Sequence, residues 1–346
     1  MDTAADIRSL LQDSVLNGDD PETLRKHILA GFESELVKQN PKRKIYRLKS
    51  LSGREFYLKS FAGQSLFSRL FRFYPLLEYR AARSLEEMGL PVIHYAAWGV
   101  SRHGGFCISN GIPEAVSARQ YCFETLVREP ASRPLFLELL SDVTRALRRC
   151  RIAHPDYHLG NILWSMREKR LYLVDPWGIH KVFFPRRLHA VQLCLPWLEL
   201  SGMVPEEELL QGVQKSGLTA TLSAARDLLA LAAGQYEKRR DRQWKKLSDR
   251  ILSGRSKFAT GVVLPEGKCM FRHTEWFAPP EKLELNPAWC RVELEDASKA
   301  REIWLHSFLR MPPEKNPPAA WLMHENGKSS LFYAEPKKTQ DIFCCK

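Results

Sequence analysis

The chain has 346 residues, 44% of them hydrophobic and 10% aromatic, and carries a formal charge of +12. That length could hold two or three domains, and the apolar content can build real cores. No run of about eighteen uncharged apolar residues occurs, which excludes an ordinary membrane-spanning helix, and the basic balance points to an anionic partner: nucleotide, nucleic acid, anionic lipid or phosphorylated glycan.

The opening MDTAADIRSLLQDSV is acidic and amphipathic, without the basic start and apolar core of a secretory signal, so a cytoplasmic protein is expected. Residues 5–17 and 21–35 read as helices, with Asp20 or Pro21 suited to a helix start. The period then changes. ELVKQN, KIYRLKSL and EFYLKSF alternate β-branched or aromatic residues with polar ones. Turns at Asn40-Pro41-Lys42-Arg43 and Ser52-Gly53-Arg54 separate them, which predicts a three-strand antiparallel meander.

A helix is expected at about 77–88, with Leu77, Ala81, Leu85 and Met88 on one face and Gly89 as its stop. Strands are expected at VIHYAAWGV and GGFCIS. After Asn110 the pattern turns helical at 135–151, 188–200, 205–215 and 220–250. Strands first and helices later predict an α+β, two-lobed architecture: a small lobe with N-terminal helices over 1–109 and a helical large lobe over 110–252.

A different segment, rich in proline and tryptophan, covers 257–346. AARSLEEMGLPVIHYAAWGV (81–100) has an echo in KAREIWLHSFLRMPPEKNPPAAWLM (299–323): an A-R helix, a proline break, then A-A-W. Two explanations stand, chance and a degenerate second copy of the small lobe. The eight cysteines form no C-x-x-C pair, so neither a zinc site nor a redox motif is expected.

The chemistry is concentrated at HPDYHLGNIL (154–163). Phosphoryl transfer needs a carboxylate to orient the attacking hydroxyl and accept its proton, with hard oxygen ligands for Mg²⁺. Asp156 suits the first task. Asn161, five residues on, and Asp175, beyond a short hairpin (ILWS, a turn at Arg167-Glu168-Lys169, LYLV), suit the second. The hairpin should bring Asn161 and Asp175 together at its open end. D-x-x-x-x-N alone is weak; H-x-D-x-H-x-x-N-I-L after an amphipathic helix, with a hairpin ending L-V-D, is far more specific. His154 and His158 are expected to brace the loop, since zinc ligation would lack a third ligand and a helix.

Upstream, such a site needs a strand lysine for the phosphates and a helical glutamate to hold it. Lys59 and Glu78 stand at those positions. No glycine-rich loop is present; Lys42 and Arg43 in the basic turn could hold phosphates through side chains, or simply face solvent.

REFYLKSF, LEYRAARSLEEMGLPV leading to AAWG, HPDYHLGNIL and LVDPWG together resemble the lipopolysaccharide core kinase family (Kdo kinase, WaaP and InaA), a bacterial branch of the protein-kinase-like fold. The resemblance covers about residues 40–200. It implies a bilobal protein-kinase-like fold, with an antiparallel-sheet small lobe and a mainly helical large lobe, and an extra C-terminal α+β segment. It also implies ATP and Mg²⁺ as cofactors and a Kdo or heptose hydroxyl of a glycolipid as acceptor. Asp156 would be the base, Asn161 and Asp175 the magnesium ligands, and Lys59 with Glu78 the ATP-orienting pair.

Heptose kinases of the family often carry histidine at the position of Asn161, so the asparagine is closer to the Kdo-kinase and InaA side. The same loop also resembles aminoglycoside and choline phosphotransferases, which leaves a small-molecule acceptor as the alternative, and a non-catalytic kinase-like binding module as a third. SLFSRLFRFYPLL (65–77), aromatic and basic, is either a contact with the anionic inner membrane or glycolipid, or packing under the small lobe. Along 236–250 acids interleave with bases, so a solvated helix face is expected there rather than an RNA or lipid site.

Overall fold

The protein's structure, a computed structural model, describes residues 3–40, 43–62, 74–101, 104–183, 187–253, 259–272, 290–306 and 318–333. It is mixed α+β, with antiparallel sheets, and divides into two units, Met1–Gly234 and Gln235–Lys346. The division falls inside one long helix. Among the described residues no helix is long and apolar enough to cross a membrane.

The first unit opens with α1 (Thr3–Gln12), β1 (Val15–Gly18) and α2 (Pro21–Leu29). Asp20 caps α2, accepting from the Thr23 N–H at 3.2 Å, and Pro21 occupies its first turn. Both expected helices are shorter than their sequence patterns. Val15–Gly18 pairs with β5 (Tyr95–Ser101), an edge-strand contact that outweighs its local helical periodicity. The helix expected to reach residue 35 stops at Leu29, because Gly31 adopts φ +152 and a Cβ there would meet the Leu51 side chain at 2.8 Å.

The meander follows as β2 (Phe32–Asn40), β3 (Arg43–Ser50) and β4 (Glu55–Ala62). With β5 and β6 (Gly104–Asn110) it makes one antiparallel sheet in the order β1-β5-β6-β4-β3-β2. Side chains alternate across it. Leu48, Phe56, Leu58 and Ile108 face Ile7, Leu11 and Ile28 of α1 and α2, while Cys107 and Tyr95 face the other way, into the larger core with α3 (Tyr74–Glu87).

Helix α3 differs from expectation in its rotation. Its buried stripe is Pro75, Glu78, Ala82 and Leu85, whereas Leu77 is 40% exposed. The spacing of four and three is an ordinary core-facing stripe, and it carries a carboxylate inward.

After Asn110 the chain forms β7 (Ala115–Ser117), α4 (Ala118–Tyr121) with a following π turn, and α5 (Arg133–Arg149). Then come β8 (Ile152–Ala153), the hairpin β9 (Ile162–Ser165) and β10 (Arg170–Leu173), and β11 (His180–Lys181). Helices α6 (Arg187–Leu193), α7 (Leu195–Leu200) and α8 (Glu206–Lys215) pack beneath, and α9 (Leu222–Leu252) leads onward. The expected single helix at 188–200 is two, because Pro196 cannot continue α6 and instead sits in the first turn of α7. Gly212 lets α8 approach closely: a Cβ there would lie 2.4 Å from the buried Trp197 ring.

The second unit contains β12 (Ala259–Leu264), β13 (Gly267–Arg272), β14 (Cys290–Leu294), α10 (Ala297–His306), β15 (Ala320–His324) and β16 (Ser329–Tyr333), in sheet order β12-β13-β15-β16-β14. Its core joins Ile251, Ala300 and Trp304 to Met270, Trp321, Leu331 and Tyr333. Strand, helix, strand, strand with the last strand in the middle (β14-β16-β15) is the same arrangement as β4, α3, β5, β6 (β4-β6-β5). The echoed tryptophans, Trp98 and Trp321, face Cys107 and Leu331 on the middle strands. Those in turn face Lys59 and Val292, so valine stands at the register position of the lysine. The hairpin β12–β13 joins the opposite edge from its counterpart β2–β3, so the likeness stops at those four elements.

Candidate active site

The loop between β8 and β9 is held by its own polar groups. The His154 carbonyl accepts from the Tyr157 N–H at 3.2 Å, and the His158 carbonyl from the Asn161 N–H at 2.9 Å. Leu159–Asn161 form a single 3₁₀ turn, which the His158 ring caps by accepting the Gly160 N–H at Nδ1, 2.9 Å away. Because Nδ1 is the acceptor, a neutral His158 carries its proton on Nε2, which lies 3.6 Å from Asp156 Oδ1. The other carboxylate oxygen and the Asp156 carbonyl each accept from Asn161 Nδ2 at 3.0 Å. Asp156 is thus held from two sides while its side chain stays 66% exposed, open to an incoming hydroxyl.

Asn161 and Asp175 meet as the hairpin spacing predicts. Ile162 pairs with Leu173, and the Val174 N–H donates to the Asn161 carbonyl at 3.0 Å. Asp175 follows with φ +52, a left-handed conformation uncommon for a residue with a side chain. It faces two cations: Lys59 Nζ at 2.8 Å from Oδ1 and Arg43 Nη1 at 3.6 Å from Oδ2.

Lys59, on β4, also donates to both Glu78 oxygens, at 2.6 and 2.8 Å, and Tyr95 Oη donates to Glu78 at 2.7 Å. Glu78 is 1% exposed and Lys59 8%. Burial pulls the Lys59 ammonium down, but Glu78 and Asp175 outweigh it, so its pKa stands above the ordinary value. Burial likewise pushes Asp175 up, and Lys59, then Arg43 and His154, outweigh it and hold its carboxyl below the ordinary range. Both groups are therefore charged at neutral pH.

Arg43, Lys59, Tyr95 and Asp175 line one wall of a cavity of about 350 Å³ whose remainder is largely apolar: Val37, Ile45, Ile93, Leu163 and Val174, with Ser109 and Asn110 at the end of β6. A larger opening of about 430 Å³, lined by Arg148, Arg187, Leu218 and Leu228, contains none of these groups. The smaller one holds the charged groups Lys59, Arg43 and Asp175. It joins an apolar wall to a cationic end at Lys59 and Arg43, which suits a ligand with one apolar part and one anionic part.

Each expected site residue is accounted for. The structure brings Lys59, Glu78, Asp175 and Arg43 into contact, and Asp156 and Asn161 into a second contact pair. Lys42 lies outside the described residues, as do 65–73 of the aromatic basic stretch. His158 braces the loop. The His154 side chain does so by packing: its fully buried ring lies 6.0 Å from that of Tyr157. Burial lowers its pKa to about 4, so it is neutral.

Several supporting groups escaped sequence reasoning. Glu199 of α7 accepts the Leu159 N–H at 2.6 Å and pairs with Arg119, whose guanidinium reaches His158 at 3.5 Å. The one signal for Glu199 was a charge inside the apolar run LPWLEL; Arg119 and Tyr95 had none. Lys38, also on the cavity wall, looked like any strand lysine. Tyr157 anchors the loop to α5 through its hydroxyl and that of Thr144, 2.9 Å apart.

As a cation site, the donor set is coherent. Asn161 commits its amide nitrogen to Asp156 and keeps its oxygen available, and Asp175 contributes a carboxylate beside the same cavity. Two hard oxygen donors completed by phosphate oxygens and water suit Mg²⁺. Among the described residues no cluster of three or more His, Cys, Asp or Glu could hold a metal by itself. No protein-family model matches the chain, and no curated protein matches it in sequence.

Proposed function

We propose that the protein is a kinase-like phosphotransferase that moves the terminal phosphoryl group of a nucleoside triphosphate to an alcohol. The observation that carries this reading is Lys59 held between Glu78 and Asp175 on the wall of a cavity shared with Asn161, whose amide holds Asp156. Lys59 and Arg43 bind the phosphates, Asp156 orients the acceptor hydroxyl and takes its proton, and the lysine charge offsets charge on the transferring group. A magnesium ion held by Asn161 and Asp175 would supply further charge neutralisation.

The acceptor class we propose is a sugar hydroxyl of the lipopolysaccharide inner core, Kdo or heptose, with the chain working on the cytoplasmic side of the membrane. It rests on the resemblance of REFYLKSF, HPDYHLGNIL and LVDPWG. The test is formation of ADP by the purified chain with Mg·ATP and a Kdo- or heptose-containing acceptor, and its loss in Asp156→Ala and Asp175→Ala. Turnover that survives both substitutions refutes the site. Turnover confined to soluble amino sugars or choline replaces the acceptor.

A further inference from the structure

Residues 236–250, YEKRRDRQWKKLSDR, interleave seven cations with three acids in the sequence. Folded as part of α9, six of the seven cations gather on one side, and Arg240, also exposed, falls on the other with Glu237 and Asp241. At about 100° per residue, Lys238, Arg239, Arg242, Lys245, Lys246 and Arg250 fall on one side of the helix, within an arc of roughly 140°. Glu237 and Asp241 fall outside that arc, beside Trp244 and the buried Ser248; Asp249 is the one acid within it. All six cations are exposed. Among the described residues none of them forms an ion pair, although Asp241 and Lys245, and Lys245 and Asp249, stand four residues apart.

The opposite side of this stretch is already used. Trp244, Leu247 and Ile251 pack into the core of the second unit with Ala300 and Trp304. The helix therefore cannot roll over and insert an apolar face into lipid, and the cationic side faces outward as a fixed surface. From Lys238 to Arg250 it is about 18 Å long. Six like charges within about two Debye lengths at physiological salt repel one another, a cost that an anionic partner removes.

We propose that this side of α9 is a docking surface for an anionic lipid bilayer, held by charge alone. The partner class follows from shape and composition. The surface is one convex helix side bearing long, flexible cationic side chains that can each reach a plane of headgroups. Single-stranded nucleic acid instead calls for a groove with exposed aromatic rings, and the one aromatic residue within Glu237–Arg250, Trp244, belongs to the core. The inference is independent of the catalytic reading and holds for a chain with no kinase activity.

The test is co-sedimentation of the full chain with vesicles of phosphatidylcholine, alone or mixed with phosphatidylglycerol, at low and high salt. Binding is expected to the mixed vesicles only and to weaken with salt. Arg242→Glu with Lys246→Glu should lower the affinity roughly a thousandfold, since two attractive charges near the anionic surface each become repulsive. Lys49→Glu, an exposed cation on β3, should bind as the parent does. Circular dichroism and melting of the double variant establish that it is folded; if it is not, Lys238→Gln with Arg239→Gln on the same arc takes its place. Failure to bind the mixed vesicles overturns the proposal. So does equal binding by a folded variant, or binding of a single-stranded RNA probe by a chain that ignores vesicles.

Discussion

Lys59 Nζ and Asp175 Oδ1 lie 2.8 Å apart although 116 residues separate them in the chain. With Glu78 on the other side of the ammonium, one buried cation joins the β4 strand, the α3 helix and the β10 hairpin. Lys59 is thus both a phosphate-binding candidate and a structural tie, and the two roles separate experimentally.

Lys59→Met should destabilise the fold by about 3 kcal/mol, because it strands Glu78 as a buried unpaired charge. Adding Glu78→Gln should recover most of that loss while nucleotide binding stays lost. Chemical denaturation and calorimetric titration with Mg·ATP read the two effects. Equal stability of parent and Lys59→Met would contradict the buried-pair description.

His154 makes stability depend on pH. Its pKa is about 4 in the folded chain against 6.5 unfolded, so the unfolded state binds the extra proton between those values. Stability is complete above pH 6.5 and falls as pH drops towards 4, by about 3 kcal/mol in all. His154→Gln should flatten that slope in denaturation curves taken across the window. An unchanged slope would show that other groups set it.

If the proposed transfer holds, Asp156→Asn should lower kcat by at least about a hundredfold with little change in nucleotide affinity, since it removes the proposed proton acceptor and leaves the cavity intact. Asn161→Ala should instead raise the magnesium concentration needed for half-maximal rate. An ADP-release assay titrated with Mg²⁺ distinguishes the two. Identical magnesium curves for parent and Asn161→Ala would remove Asn161 from the ligand set.

Glu199→Ala leaves the Leu159 N–H without its acceptor and releases Arg119 from the His158 side of the loop. We expect a stability loss of about 1–2 kcal/mol and a fall in kcat that exceeds any change in nucleotide affinity. Glu199→Gln, which keeps a carbonyl acceptor, should recover part of both. Rescue of stability without any rescue of kcat would make Glu199 purely structural.

Legibility in the sequence followed the distance over which each feature is decided. The β2–β3–β4 meander and the β9–β10 hairpin were readable because alternation and turn residues act within a few positions. Val15–Asn17 has a helical pattern but pairs as strand, because its strand form depends on β5, which lies far along the chain. The meeting of Asn161 with Asp175 follows from the hairpin spacing, whereas Glu199 beneath the same loop does not, since α7 reaches it only through packing. Helix α3 was found, but its rotation was not: Leu77 and Glu78 are adjacent, and the sheet, not the local pattern, decides which faces in.

By itself, then, the sequence determined the order and spacing of Asp156, Asn161 and Asp175 and the strands that present them, because covalent geometry limits where near neighbours can go. Tertiary structure alone decided that Glu78 is buried against Lys59, that Arg43 and Lys59 converge on Asp175, and that Glu199 holds the loop. It also decided which side of α9 faces outward, gathering six of the seven cations of 236–250 opposite the side that Trp244, Leu247 and Ile251 commit to the core. The physical reason is the same in each case. Burial and long-range pairing are properties of faces, and a face exists only once the chain has folded against itself.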